Sequence, residues 1–233
     1  VASQQEREVV DPSQLLAPAA SDATPAAERA RRERARELAG GIVAFDADRA
    51  VRLTSTPEPE MLPSFSPNTA AVAFVRGNDL YAVEIATQRE HRLTSDGSHK
   101  ILNGVLDWVY EEEIYGRGDR HAYWWSPDSS RLAFLRLDDR PFPQYVTVDD
   151  IPYDQVVEHW DWPKAGDPNP LATLGVVRAN GGKTTWVNTD AYPEADRLIV
   201  GVGWSPDSQR VVFHVTNRIQ AWLDLNTADV NSG

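Results

Sequence analysis

Three copies of a Ser-Pro-Asp/Asn turn constrain the fold of this chain more than any other feature of its sequence. The copies occur at Ser66–Asn68, Ser126–Asp128 and Ser205–Asp207, each directly after an aromatic residue. Proline sets φ at the second turn position, while the flanking Ser and Asp/Asn side chains bond to nearby backbone groups. An alternating apolar segment follows each turn, as in Arg131–Leu135. Each copy therefore predicts an aromatic strand end, a tight turn and one or two antiparallel strands.

A second repeated phrase closes these units. It reads ATQREHRLT at 86–94, DADRAVRLT at 46–54 and ASQQEREVV at 2–10. Antiparallel repeats of this kind are typical of β-propeller blades. We therefore predict an all-β fold, a partial β-propeller of about three to four blades within a longer protein. Residues 1–25 are interpreted as the remnant of a preceding blade and a linker, and residues 41–233 as the propeller segment.

The spacing of the turns predicts two insertions. Sixty residues separate Ser66 from Ser126, and 79 separate Ser126 from Ser205, whereas a blade of ordinary size takes roughly 40–45. The extra residues lie within 95–123 and 138–175, and the second insertion includes a Pro/Gly-rich loop at 164–170. Insertions on a repeat scaffold tend to collect on its functional face.

Composition excludes several classes of function. The net charge of −12 argues against a nucleic-acid partner, since phosphate binding needs surplus cations on one face. The absence of cysteine excludes disulfides and thiolate metal sites, and the five histidines show no metal-ligand spacing. We expect no metal and no cofactor. The Gly-x-Ser-x-Gly motif of serine hydrolases is absent, so the serines of the repeated turns are interpreted as turn residues and no catalytic residue is assigned.

Residues 26–40 form a charged segment unlike the rest of the chain. Residues 26–38 read AAERARRERAREL, which contains helix formers alone and precedes Gly40-Gly41. We predict an arginine-rich helix there. Because this helix lacks an apolar stripe, it is either a solvated surface helix or one that contacts a charged site.

The candidate site lies in the first insertion, where residues 107–115 read DWVYEEEIY. Asp107 is a good N-cap, and acids early in a helix are favoured by its dipole. A plain acidic helix start accounts for this pattern. Three adjacent carboxylates also repel one another, and an ammonium group, with three donors, can be shared between two of them. The residues alone leave both interpretations open and predict a short acidic helix in either case.

At this point the sequence resembles a known family. Residues 107–115, YWWSPD at 123–128 and PKAGDPNP at 163–170 resemble the N-terminal β-propeller domain of the dipeptidyl peptidase IV family of prolyl oligopeptidase-like serine peptidases. The resemblance covers roughly residue 26 to the C-terminus. It implies a serine exopeptidase that releases N-terminal dipeptides with Pro or Ala in the second position.

The resemblance also implies roles for individual residues. Glu112 and Glu113 would bind the free α-amino group of the peptide, with Glu111 a neighbour of this pair. An arginine of the charged helix would hold a substrate carbonyl, and among Arg29, Arg32 and Arg36 we choose Arg32.

The remaining implications concern the parent protein. The catalytic Ser, Asp and His would belong to a C-terminal α/β-hydrolase domain that this chain lacks, so the fragment alone is expected to be inactive. The partners implied are the N-terminus of a peptide substrate, the hydrolase domain, and a second copy in a homodimer with contacts largely outside this segment. A bacterial periplasmic or secreted location is expected. The alternative is a non-catalytic β-propeller binding module of periplasmic type, which has no need of clustered carboxylates beside aromatic residues.

Overall fold

A computed structural model describes residues 43–46, 49–116, 118–151 and 153–233 of the chain. The predicted blade remnant at 1–25 and the predicted helix at 26–40, which carries Arg32, lie outside the described residues. Within the described part the chain forms sixteen strands. They are β1 (Val43–Asp46), β2 (Arg49–Arg52), β3 (Glu60–Phe65), β4 (Ala71–Arg76), β5 (Asp79–Glu84), β6 (Glu90–Arg92), β7 (Ile101–Asn103), β8 (Tyr123–Trp125), β9 (Arg131–Asp138), β10 (Gln144–Asp149), β11 (Val156–Asp161), β12 (Leu171–Arg178), β13 (Thr185–Trp186), β14 (Arg197–Trp204), β15 (Arg210–Asn217) and β16 (Leu223–Asp229).

The strands form three antiparallel sheets of blade size. The first sheet has the order β3-β4-β5-β6 and the third has the order β14-β15-β16. In the second sheet β13, β12 and β9 follow one another, and both β7 and β8 pair with the free edge of β9. Strands β1 and β2 form a separate hairpin. This arrangement confirms the prediction of an all-β fold and a partial propeller.

The three Ser-Pro-Asp/Asn segments are turns of one design. In the second copy the Ser126 hydroxyl donates to the Asp128 carboxylate at 2.6 Å and accepts from the Arg131 N–H at 2.9 Å. The Ser205 hydroxyl makes the equivalent bonds to Asp207 and Arg210. These contacts confirm the interpretation of the serines as turn residues, because each hydroxyl is used to close its own turn.

The turns also connect neighbouring sheets. The Asn68 N–H donates to the Ser129 hydroxyl at 3.0 Å, and the Asp128 N–H donates to the Ser208 hydroxyl at 3.0 Å. Ser129 and Ser208 are the fourth residues of their turns and have left-handed φ values of 64° and 60°. The Ser129 hydroxyl therefore links the turns of the first and second sheets, and the Ser208 hydroxyl links those of the second and third.

Replacing Ser208 with alanine in the full-length protein is expected to lower the free energy of unfolding by about 1 kcal/mol, since the Asp128 N–H loses its acceptor. Ser208 is 1% exposed, so the variant removes a hydroxyl from a buried position. Urea denaturation of this variant is compared with that of Ser55→Ala, which removes an exposed hydroxyl. Equal stability of the two variants would show that the link between turns contributes nothing.

The second predicted insertion is a hairpin. Strands β10 and β11 pair only with each other among the described strands. At its base, the Trp162 ring lies 3.8 Å from the Trp108 ring between centroids, and Asp161 forms ion pairs with His99 and Lys100. An irregular loop follows to residue 170. The hairpin therefore packs against the segment that enters the acidic helix.

Candidate functional site

The first insertion interrupts the first strand of the second sheet. Strand β7 pairs with residues 136–138 of β9 and β8 with residues 132–134. Between them, the Leu135 carbonyl accepts from the Gly104 N–H at 2.9 Å, and the Leu135 N–H donates to the Ala122 carbonyl at 2.9 Å. Strands β7 and β8 are thus two halves of one strand, and residues 105–121 loop out between them.

Gly104 makes this exit possible. Its φ is +75°, and a Cβ there would lie 3.2 Å from the Leu80 side chain and 3.3 Å from the Tyr123 ring. Both neighbours are fully buried. A glycine is therefore needed both for the backbone conformation and for the close packing.

Asp107 begins the helix, as the sequence predicts. Its carboxylate accepts from the Val109 N–H at 3.1 Å and from the Tyr110 N–H at 3.0 Å. The segment before it is fixed by the Leu106 N–H, which donates to the Arg120 carbonyl at 2.9 Å. The cap therefore sits on a short two-stranded stem rather than on a free loop.

The acidic helix, Tyr110–Tyr115, is a π-helix. The Gly116 N–H donates to the Glu111 carbonyl at 3.1 Å, which is the five-residue spacing of that helix type. Gly116 has φ of +109° and ends the helix. The sequence predicted a short acidic helix. It did not predict that the hydrogen bond would span five residues instead of the four of an α-helix.

Two tyrosines attach the acidic helix to the third sheet at Ile199. The Ile199 N–H donates to the Tyr110 hydroxyl at 3.3 Å, and the Tyr115 hydroxyl donates to the Ile199 carbonyl at 3.4 Å. Strand β14 has a bulge between Ile199 and Gly201, and the bulged residue Val200 lines a cavity beside the helix. Burial raises the pKa of both tyrosines, so both hydroxyls keep their protons.

The three glutamates of the helix have different surroundings. Glu111 forms an ion pair with Arg120, whose Nε lies 3.0 Å from a carboxylate oxygen, and Arg120 also donates to the Leu106 carbonyl. Glu113 lies on the other side of the helix, because successive helical residues point about 80 to 100° apart. It is exposed, and Glu112 between them is half-buried.

Glu113 lines a cavity of about 410 Å³ between the acidic helix and the third sheet. The opposite wall contains Thr216, Gln220 and Trp222. Glu111 therefore faces a cation of its own chain, whereas Glu113 faces open space large enough for part of a ligand. The assignment of Glu112 and Glu113 to an amine site stays a prediction.

Tryptophan side chains connect the first strands of the three sheets. Trp125 donates through Nε1 to the Ser64 hydroxyl at 3.2 Å, and Trp204 donates to the Trp124 carbonyl at 3.0 Å. These bonds place β3, β8 and β14 side by side across the three sheets. Trp124 and Trp125 are both half-buried and pack partly against the core.

Sequence reasoning missed Arg120 and the two tyrosine anchors. Arg120 comes nine residues after its partner Glu111, whereas neighbouring side chains on a helix are three or four residues apart. The pairing of 104–106 with 120–122 across the stem brings them together. A signal existed in the positions of the glycines, because Gly104 and Gly116 mark the exit from the strand and the end of the helix.

Three antiparallel sheets joined through their first strands, with a carboxylate-bearing helix beside a cavity, define a β-propeller segment with a candidate ligand site. The family model for the dipeptidyl peptidase IV N-terminal region matches residues 30–233. The chain belongs to this family.

Individual relatives agree with this assignment. The chain is 36% identical over 182 residues to a probable dipeptidyl-aminopeptidase B of Phaeosphaeria nodorum, covering 72% of the chain and 20% of the relative. It is 38% identical over 177 residues to a probable dipeptidyl peptidase 4 of Neosartorya fischeri, covering 72% of the chain and 22% of the relative. The chain thus spans about a fifth of the length of these relatives.

A solved structure shares the fold. The Porphyromonas gingivalis dipeptidyl peptidase 4 crystal structure superposes with a TM-score of 0.70 and 28% identity, covering 78% of this chain and 25% of that one. Among the described residues, no helix has the length and apolar character needed to cross a membrane.

Proposed function

We propose that this chain is the substrate-recognition part of a dipeptidyl peptidase IV-like serine exopeptidase, which releases N-terminal dipeptides with Pro or Ala in the second position. In this proposal the carboxylates of Glu112 and Glu113 bind the α-ammonium group of the peptide. The observation that carries it is the position of Glu113 at an open cavity, on a helix whose other outward acid, Glu111, is already paired with Arg120.

The acidic helix suits this task because it is fixed at both ends. Asp107 holds its start, and Tyr110 and Tyr115 attach it to Ile199 of another sheet. Because the carboxylates are held rigidly, an ammonium group bound to them places the second peptide bond at a fixed distance from this site. An internal peptide segment has no ammonium group and gains none of this binding energy.

The rest of the proposal concerns parts beyond the described residues. Arg32 of the predicted helix holds a substrate carbonyl. A C-terminal α/β-hydrolase domain supplies a serine activated by histidine, and an oxyanion hole stabilises the tetrahedral intermediate. Export to the periplasm or beyond and a homodimeric assembly complete the proposal.

Blocking the substrate amine tests this function. The full-length protein is given a Gly-Pro chromogenic substrate and the same substrate with an N-acetyl group. We expect acetylation to lower kcat/KM by about 100-fold or more, because a carboxylate pair loses its cation. Equal rates on the two substrates would contradict an amine anchor. Absence of any hydrolysis would favour the non-catalytic binding module instead.

A further inference from the structure

Two buried carboxyl groups belong to the surroundings of the helix start, Asp107 as its cap and Asp139 as a group on which the charge of Asp107 acts. Asp107 is 4% exposed and Asp139 is 5% exposed. The Asp107 carboxylate is satisfied by the N–H groups of Val109 and Tyr110. By contrast, Oδ1 of Asp139 is buried and has no hydrogen-bond partner among the described residues. A buried carboxylate without donors is costly, so this atom calls for an explanation.

The charges around Asp139 are mostly negative. Asp107, Asp161 and Asp138 are the main negative charges that act on it, and Lys100 is the main described cation that opposes them. The Lys100 ammonium is occupied elsewhere, since it pairs with Asp161 and donates to the backbone carbonyl of Asp139 at 3.3 Å and to that of Phe142 at 3.4 Å. Among the described residues, no cation is recorded as an ion-pair partner of the Asp139 carboxyl group.

The surroundings decide which carboxyl group holds a proton. Burial, together with the charge of Asp107, raises the pKa of Asp139 to about 8. Burial also raises the pKa of Asp107, but its two N–H donors and the nearby Arg120 favour its charged form. At neutral pH the proton thus belongs on Asp139, and Asp107 remains the anion that caps the helix.

We propose that Asp139 is a positioning residue: as a buried, neutral carboxylic acid near the start of the acidic helix, it allows the charged Asp107 cap to stay buried, and so holds Glu112 and Glu113 where they bind the substrate amine. This role rests on the proposed function. Loss of the proton would leave two buried carboxylates that repel each other. Their repulsion would displace the Asp107 cap and the helix that it starts.

The pH dependence follows with a definite sign. In the unfolded chain the carboxyl group of Asp139 has an ordinary pKa, so the folded state holds an extra proton between roughly pH 4 and 8. The stabilising contribution of Asp139 is complete below that range and is lost as the pH rises through about 8. Substrate binding through the helix should weaken over the upper part of the same range.

The test compares wild-type full-length enzyme with Asp139→Asn on the Gly-Pro chromogenic substrate between pH 6 and 9.5. Asparagine has the shape of the neutral acid and cannot ionise. We expect equal KM values at pH 6.5, and a wild-type KM about fivefold above that of the variant at pH 9.5, with equal kcat. The substrate amine titrates in both reactions alike, so its effect cancels in the ratio of the two KM values.

Two further variants sharpen the comparison. Asp96→Asn is the matched control, because Asp96 pairs with Arg136 and is not among the main groups that act on Asp139. Its KM profile should follow the wild type. Asp107→Asn keeps one acceptor oxygen and removes the charge. This variant should raise KM at all pH values and abolish the increase of KM at alkaline pH. The proposal can therefore still be tested if Asp139→Asn does not fold.

The outcomes separate this inference from the function on which it rests. If Glu113→Gln raises KM while Asp139→Asn follows the wild-type profile throughout, the role of Asp139 is refuted and the amine anchor stands. If both Glu112→Gln and Glu113→Gln leave KM unchanged, the amine anchor itself fails. In that event a positioning role fails with it, even if Asp139→Asn removes the pH dependence of the melting temperature.

Discussion

Replacing Glu113 with glutamine in the full-length protein is expected to lower kcat/KM for a free N-terminal Gly-Pro substrate by about 100- to 1,000-fold, as for truncation of one partner of a desolvated charge pair. The amide keeps the size of the side chain and removes its charge. Glu113 lines the cavity beside the acidic helix, so the change acts on the proposed ligand rather than on the fold. Glu112→Gln is expected to have an effect of the same order.

The control for this prediction is Glu194→Gln, which removes the charge of a glutamate whose side chain is 59% exposed and 3.9 Å from Arg197. Its kcat/KM should equal that of the wild type. The N-acetylated substrate provides a second control, because it has no ammonium group to lose and should be cleaved equally slowly by Glu113→Gln and wild type. A normal kcat/KM for both Glu112→Gln and Glu113→Gln would exclude the anchor.

The second large effect concerns the attachment of the acidic helix. Tyr110→Ala is expected to lower the free energy of unfolding by about 3–5 kcal/mol, since it empties a buried aromatic site. Tyr110 is 0% exposed and accepts from the Ile199 N–H in the third sheet. Tyr110→Phe removes only the hydroxyl and should cost about 1 kcal/mol. Chemical denaturation of the full-length protein measures both values.

Tyr153→Ala is the matched control, because Tyr153 is fully exposed in the loop of the β10–β11 hairpin. Its stability should stay within about 0.5 kcal/mol of the wild type. Tyr110→Phe should also raise KM for the free Gly-Pro substrate more than it changes kcat, since the helix loses one of its attachments. If Tyr110→Ala is as stable as the Tyr153 variant, the helix is not anchored through this residue.

The repeated turns could be predicted from the sequence because their chemistry is local. In each turn the serine bonds to residues two and five positions further on, so both of its partners can be identified from a short stretch of sequence. The N-cap role of Asp107 was predictable for the same reason, since its partners are the N–H groups of Val109 and Tyr110. Local patterns of this kind were sufficient for the fold class, both insertions and the acidic helix.

The remaining features depend on residues far apart in the chain. The division of one strand into β7 and β8 is visible only through Leu135, which bonds to both halves. The attachment of the helix depends on Ile199, about 90 residues after Tyr110. The charge of Asp107 acts on Asp139, which follows it by 32 residues. No periodicity in the sequence encodes these distances.

The most direct test is a crystal structure of the full-length protein with a slowly cleaved dipeptide-containing ligand bound. The ammonium nitrogen of the ligand is expected within about 3 Å of carboxylate oxygens of both Glu112 and Glu113, with Glu111 still paired to Arg120. An ammonium group held by other residues, with the cavity beside Glu113 empty, would contradict the proposed recognition of the peptide N-terminus.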